Sequence, residues 1–195
     1  MLTAQPQQEC HSENGVTLIE LVLVITIIGI MAAFAIPKID YHRYRVDSSM
    51  RGIGSALLSA QRRAVSGQYD VVVTFDVANT GIRIHEDMNN NGAVDNDERT
   101  RGIPMGERVV FGRGSATQHA VGPGPVTFTK RVGGLPAVTF HRNGSASERG
   151  GVYLTTRRAQ AGGGQPTDNR LVEIERSTGR VSWYIYRGGS WERVY

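Results

Sequence analysis

The chain has 195 residues and a formal net charge of +4, and hydrophobic residues make up 39% of it. That length fits one domain with one appended element rather than a multidomain enzyme. The only cysteine, Cys10, excludes an internal disulfide and a zinc or iron–sulfur site built from cysteines.

The first element is an apolar segment from Val16 to Ile36, whose only charged residue is Glu20. As a helix it would reach roughly 32 Å, about the thickness of the hydrocarbon core of a bilayer. The segment has no polar face, which argues against a core helix, and residues 1–15 contain no Lys or Arg, which argues against a cleavable secretory signal. We therefore expect a transmembrane helix over residues 16–37.

Glu20 is unusual in this segment, because a carboxylate near the bilayer centre costs on the order of 2.5–3.5 kcal/mol. Two interpretations stay open from the residues alone. The side chain lies near a helix end and reaches the headgroups, or it is kept for a partner that supplies positive charge.

The start of the segment reads Gly15-Val16-Thr17-Leu18-Ile19-Glu20-Leu21. Followed by the apolar run, it resembles the class III signal of type IV pilins and pseudopilins. The resemblance implies that residues 1–15 are a leader, that a prepilin peptidase cuts between Gly15 and Val16, and that the new N-terminus is methylated. It also implies that Glu20 pairs with the N-terminal amine of a neighbouring subunit during assembly. Val16 stands where the family usually has Phe.

Residues 38–67 are predicted to continue as an amphipathic helix with Gly67 as its C-cap. The apolar residues of this stretch recur at spacings of three and four and should lie against a sheet: Val46, Met50, Ile53, Leu57 and Leu58.

After Gly67 the hydrophobic period changes to two, which predicts a β-rich domain over residues 68–195. The predicted strands are Tyr69–Val77, Gly81–His85, Arg108–Phe111, Pro125–Lys130, Ala137–His141, Val152–Thr156, Leu171–Arg176 and Val181–Arg187. The fold class is therefore α+β, a long N-terminal helix packed on an antiparallel β-sheet domain.

The order of these strands is similar to that of the GspH/FimT minor pseudopilins. The matching stretches are residues 138–144 (VTFHRNG), 150–154 (GGVYL), 171–174 (LVEI) and 179–181 (GRV). The resemblance implies the pseudopilin fold and a subunit of a type II secretion pseudopilus or a type IV pilus, anchored once in the inner membrane with its domain in the periplasm. Implied partners are other pilins or pseudopilins, the prepilin peptidase and N-methyltransferase, the inner-membrane assembly platform and membrane lipid.

An acidic loop, residues 87–98, has the spacing of an EF-hand loop. We expect oxygen ligands for a structural calcium ion from Asp87, Asn89, Asn91, Asp95 and Glu98 and the backbone carbonyl of Ala93, with Gly92 at the turn. The alternative is an Asn- and Asp-rich turn without a metal. No other cofactor is implied.

Charge separates along the chain, with seven acidic residues against Arg83 in residues 70–98 and ten basic against Glu107 and Glu148 in residues 99–158. This basic stretch raises DNA capture, known for FimT-type minor pilins, as the alternative function. By that resemblance DNA would contact the C-terminal arginines Arg180, Arg187 and Arg193, with Trp183, Tyr184, Tyr186 and Trp191 for stacking.

Catalysis is not expected. The five histidines lack paired metal-ligand spacing, and no G-x-S-x-G motif is present.

Overall fold

The computed structural model describes residues 15–35, 41–95 and 97–194. The chain divides into two compact units, Met1–Asp40 and Tyr41–Tyr195. The first contains helix α1, Leu18–Ala35. Most of the predicted leader, and residues 36–40 where the two predicted helices would join, lie outside the described residues.

The second unit begins with helix α2, Tyr41–Gly67. Its buried side chains follow the helical repeat and form one apolar face: Val46, Met50, Ile53, Leu57, Ala60 and Ala64. Four of the five predicted apolar residues are therefore buried, and Leu58 is partly buried against the same core. The helix ends at Gly67, as predicted, because Gln68 takes a left-handed conformation with φ of 56°.

Within the described residues, the strands form two antiparallel five-stranded sheets. The first has the order β3-β2-β1-β6-β5, and its strands are β1 Asp70–Asp76, β2 Gly81–Asp87, β3 Thr100–Pro104, β5 Arg131–Val132 and β6 Leu135–Phe140. The second has the order β10-β9-β8-β7-β4, and its strands are β4 Val109–Phe111, β7 Gly150–Thr156, β8 Arg170–Ile174, β9 Val181–Arg187 and β10 Ser190–Arg193. A short helix α3, Arg157–Gln160, follows β7.

Helix α2 contacts strands of both sheets, so one apolar core joins them. Alternate residues of β1, such as Val73 and Phe75, face the helix from the first sheet, and Leu154 and Ile174 belong to the same core from the second. Phe75 also stacks on Phe128 at a ring-centroid distance of 5.2 Å. The α+β class, a helix packed on antiparallel sheets, is confirmed.

The predicted strand Pro125–Lys130 is wrong. Only an isolated bridge joins Val126 to Val152. Beyond it the backbone N–H groups of Thr129 and Lys130 donate to the carboxylate of Glu148 instead of to a neighbouring strand. The Glu148 side chain thus takes the place of the neighbouring strand as hydrogen-bond acceptor for these two residues. The alternation of apolar and polar residues in the sequence does not predict such a substitution.

The sequence pattern does not predict β5 or β10, and it leaves residues 99–102 open between strand and coil. β5 has two residues, and β3 contains Gly102 and Pro104, residue types that are depleted in strands. All three are edge strands, whose sequences carry the weakest alternation.

A buried ion pair fixes β8 to helix α2. The Arg170 side chain is fully buried, and its Nε donates to Oδ1 of Asp47 at 2.5 Å, while Asp47 is 31% exposed. Its Nη1 donates to the backbone carbonyls of Thr167 and Asn169 at 2.6 and 2.9 Å. The pair connects residues 123 positions apart in the sequence.

We predict that Asp47→Ala lowers the free energy of unfolding by about 3 kcal/mol, because it leaves a buried guanidinium without its counter-charge. Urea denaturation of the purified chain measures the loss. In an Arg170→Met background, which removes the charge and keeps an apolar side chain, Asp47→Ala should cost under about 1 kcal/mol. An equal cost in both backgrounds would show that the pair contributes nothing specific.

Candidate functional site

The N-terminal motif forms the start of helix α1. Thr17 is the N-cap: its Oγ1 accepts the backbone N–H of Glu20 at 3.3 Å, and its carbonyl accepts that of Leu21 at 3.1 Å. Glu20 therefore lies in the first turn, where a carboxylate interacts favourably with the helix dipole. Its side chain is exposed and forms no ion pair with a described residue. Sequence analysis missed the cap, although Thr followed three residues later by Glu is its usual signature.

Helix α1 is apolar on every side. Its large apolar side chains are exposed, from 46% at Val22 to 83% at Leu18, and no described side chain of the helix is buried. Helices that are hydrophobic all round are normally buried, in a protein core or in a membrane. In the described ranges, no helix has both the length and the apolarity that crossing a membrane requires. Membrane insertion of residues 16–37 stays a prediction.

The acidic loop is ordered by its own hydrogen bonds. The buried carboxylate of Asp87 accepts the backbone N–H groups of Asn91 at 3.0 Å and Gly92 at 2.8 Å. The side-chain amides of Asn89 and Asn91 both donate to Oδ2 of Asp95, at 3.0 and 2.7 Å. Gly92 takes φ of 75°, which the predicted turn requires.

The predicted calcium ligands are thus brought into one loop, and two asparagine amides surround the carboxylate of Asp95. Within residues 15–35, 41–95 and 97–194, no group of three or more His, Cys, Asp or Glu side chains is arranged to hold a metal ion. Oε1 of Glu98 is buried and has no hydrogen-bond partner among the described residues. Calcium binding stays a prediction.

The three C-terminal arginines are exposed but do not form one cluster. Arg180 precedes β9 and Arg187 ends it, so they lie at opposite ends of a seven-residue strand, roughly 20 Å apart. Arg193 lies on β10, opposite Tyr184.

The aromatic residues near these arginines pack within the domain. Trp191 lies 5.1 Å from Tyr186 and 5.5 Å from Tyr153 between ring centroids, and its Nε1 donates to the carbonyl of Thr117 at 2.8 Å. Trp183 packs against the core beside Gly54 of helix α2. These contacts occupy much of the surface that stacked bases would need.

One buried histidine was also missed by sequence analysis. His85 faces away from helix α2, with its Nε2 3.3 Å from the hydroxyl of Thr74 and its Nδ1 3.0 Å from that of Thr100. Burial, and secondarily the charge of Arg83, lowers the pKa of His85. The ring therefore serves as a neutral hydrogen-bonding link between β1, β2 and β3.

A family model matches the N-terminus of the chain. Residues 10–36 match the model of the prokaryotic N-terminal methylation motif. This match confirms the predicted type IV pilin-like signal, which contains Gly15, Val16 and Glu20. No curated protein matches the sequence.

The solved structures that are similar to the chain include a minor pilin and a minor pseudopilin. The type IV minor pilin FimU of Pseudomonas aeruginosa is 15% identical, over 77% of this chain and 94% of that one, with a TM-score of 0.48. The minor pseudopilin EpsH from the type 2 secretion system of Vibrio cholerae is 14% identical, over 75% of this chain and 99% of that one, with a TM-score of 0.44.

The calcium prediction can be tested by thermal unfolding. We expect a higher melting temperature in calcium than in chelator, because an ion held only by the folded loop stabilises it, by about 2.7 kcal/mol at a hundredfold excess over Kd. Glu98→Ala should remove the difference. Asp97→Ala, which deletes the same charge outside the predicted ligand set, should keep it. Equal melting temperatures in calcium and in chelator would contradict calcium binding, and the loop would then be a turn held by its asparagine amides.

Proposed function

We propose that this chain is a minor pseudopilin or minor pilin of the GspH/FimT type, a structural subunit that assembles into a filament through helix α1. One observation carries the proposal. An apolar helix with no buried side of its own begins directly after the Gly15-Val16 junction of the methylation motif, and its first turn holds its single carboxylate.

The exposed surface of α1 supports assembly by helix packing. Burying a Val, Leu or Ile side chain is favourable by about 1.5–3 kcal/mol. The described helix offers eleven exposed Leu, Ile, Val and Met side chains, whereas most of the large apolar side chains described in the second unit are buried. Helices of neighbouring subunits would supply the missing contacts in a filament, and lipid would supply them before assembly.

Glu20 gives this packing a register. A carboxylate inside a bundle of apolar helices needs a compensating cation. Cleavage after Gly15 would create one, since it frees the amine of Val16. Pairing Glu20 with the Val16 amine of a neighbour would satisfy both charges and fix the relative height of the two helices.

The partners follow from this role: the prepilin peptidase and N-methyltransferase, other pilins or pseudopilins, the inner-membrane assembly platform and membrane lipid. The subunit would be anchored in the inner membrane with residues 68–195 in the periplasm. We propose a structural rather than a catalytic role for that domain.

DNA capture is the alternative, and it has less support. Arg180 and Arg187 lie at opposite ends of β9, and Trp183 and Trp191 are engaged within the domain. A continuous basic groove with free aromatic faces is what single strands require.

Processing gives the first test. We predict that the mature protein begins at Val16 and carries one added methyl group, which intact-mass and N-terminal sequencing would detect. Gly15→Ala should leave the leader attached, because the peptidase acts next to this glycine. Gly29→Ala, the same change in the middle of α1 where an added Cβ meets nothing within 4 Å, should be processed normally. A mature protein that begins at Met1, or beyond residue 35, would contradict the proposal.

The second test concerns the charge of Glu20. Glu20→Gln keeps the size of the side chain and removes its charge, which leaves a neighbour's amine unpaired at a cost on the order of 2.5–3.5 kcal/mol. We expect the amount of subunit recovered in sheared filaments to fall at least about tenfold, since each 1.4 kcal/mol is a factor of ten.

Thr17→Ala is the matched control, because it weakens the helix cap and keeps the carboxylate. It should reduce incorporation much less than Glu20→Gln. Normal incorporation of Glu20→Gln with loss only for Glu20→Ala would assign Glu20 a packing role and contradict the charge pairing.

A further inference from the structure

An open groove runs between helix α2 and the edge of the first sheet, with a cavity of about 520 Å³. Its floor is Ala56 of the helix together with Ile84 and Ile103 of the sheet. The exposed part of the helix wall consists of small residues: Gly52, Ser55 and Ser59. A Cβ added to Gly52 would meet nothing within 4 Å. The groove therefore has room for side chains that this unit does not provide.

The edge strand β3 presents unpaired backbone groups beside this groove. The backbone N–H of Glu86 in β2 donates to the carbonyl of Arg99 at 3.0 Å. Because hydrogen-bonded and outward-facing residues alternate along an antiparallel strand, the N–H and C=O groups of Thr100 and Gly102 point away from β2. Such an edge is a template on which an additional strand can pair.

The rim of the groove is cationic. Arg63, Arg99 and Arg101 line it, and Glu86 is the only acidic residue among the lining residues. Glu86 is already engaged, because it pairs with Arg63 and accepts the hydroxyl of Tyr69 at 2.9 Å. Burial and this hydrogen bond raise the pKa of Tyr69, so the phenol stays a neutral donor.

Arg99 and Arg101 are exposed and form no ion pair with any described residue. Arg101 of β3 lies on the face that looks toward helix α2, because Ile84, which lies on the core side of β2, is opposite Arg101. Arg99 directly precedes the strand, two residues before Arg101, and lines the same groove. Pairing β3 with β3 of a second copy would bring arginines close to arginines, and like charges on facing strands repel. An occupant that carries carboxylates would instead neutralise them.

We propose that β3 and the groove beside it form a docking surface for an extended acidic segment of a partner protein. The segment adds to the sheet as a strand, bonds to the backbone of Thr100 and Gly102, and places apolar side chains over Gly52 and its carboxylates against Arg99 and Arg101. The inference uses no feature of the N-terminal motif, so it and the proposed filament role can fail separately.

The probe is a blocked, fluorescently labelled peptide of about seven residues, a common length for a strand, in which threonine alternates with valine, glutamate and glutamate. Because residues two apart share one face of a strand, the valine and both glutamates of this peptide can face the groove together. Its binding to the full chain is measured by anisotropy in a mild detergent. We expect an affinity at least about tenfold higher than that of the matching valine–lysine peptide, and a clear loss at about 1 M salt, where exposed charges are screened.

Three variants of the groove should each weaken binding about tenfold or more. Gly102→Pro removes an outward N–H, Gly52→Leu fills the groove, and the Arg99→Glu/Arg101→Glu pair reverses the charge of the rim. Each has a control that should stay within about twofold of the unchanged chain: Gly102→Ala, Gly52→Ala and, on helix α3, Arg158→Glu. The melting temperature of each variant shows whether it is still folded when it fails to bind the peptide. If Gly102→Pro unfolds the domain, Gly52→Leu still tests the groove, because it changes an exposed helix residue and leaves the strand intact.

The proposal is overturned by an absence of binding at millimolar peptide, by equal binding of the lysine peptide, or by folded Gly52→Leu and Arg99→Glu/Arg101→Glu proteins that bind as the unchanged chain does.

Discussion

The packing of helix α2 against both sheets is the constraint on which the rest of the domain depends. Core residues of β1 in the first sheet and of β8 in the second belong to one cluster with the apolar face of this helix. The ion pair between Arg170 and Asp47 reinforces this arrangement, since it joins the first residue of β8 to the first part of α2. One element therefore holds both sheets in place, and Phe75 of β1 also contacts Phe111 of β4 edge to face, at 6.4 Å between ring centroids.

The contrast between the two helices explains the division of roles along the chain. Helix α2 is polar on one side and buries the other, whereas α1 is apolar on all sides and buries none of its described side chains. A helix of the first kind buries its apolar face against the sheets of its own chain. A helix of the second kind can bury its apolar side chains only against another molecule, such as a neighbouring subunit or lipid. We therefore assign assembly to α1.

Sequence patterns predicted the elements that depend on apolar periodicity. The buried face of α2 and the central strands β1, β2 and β7 were predictable because each has one or both faces in the core. Elements held by polar groups were not. The backbone N–H groups of Thr129 and Lys130 bond to the carboxylate of Glu148 instead of to a strand, and β10 is placed by pairing with β9 rather than by alternation. The methylation motif was predictable for a different reason, because it is a linear sequence pattern that does not depend on the fold.

The acidic loop and the arginines that follow it show how local hydrogen bonding decides which charges are available to partners. Asp87 and Asp95 are both neighbours of the basic strand β3 in sequence, yet each is engaged within the loop, by backbone N–H groups or by asparagine amides. No ion pair in the described residues joins either carboxylate to Arg99 or Arg101. The edge of the first sheet therefore keeps its positive rim, although residues 87–101 carry four acidic residues against these two arginines in the sequence.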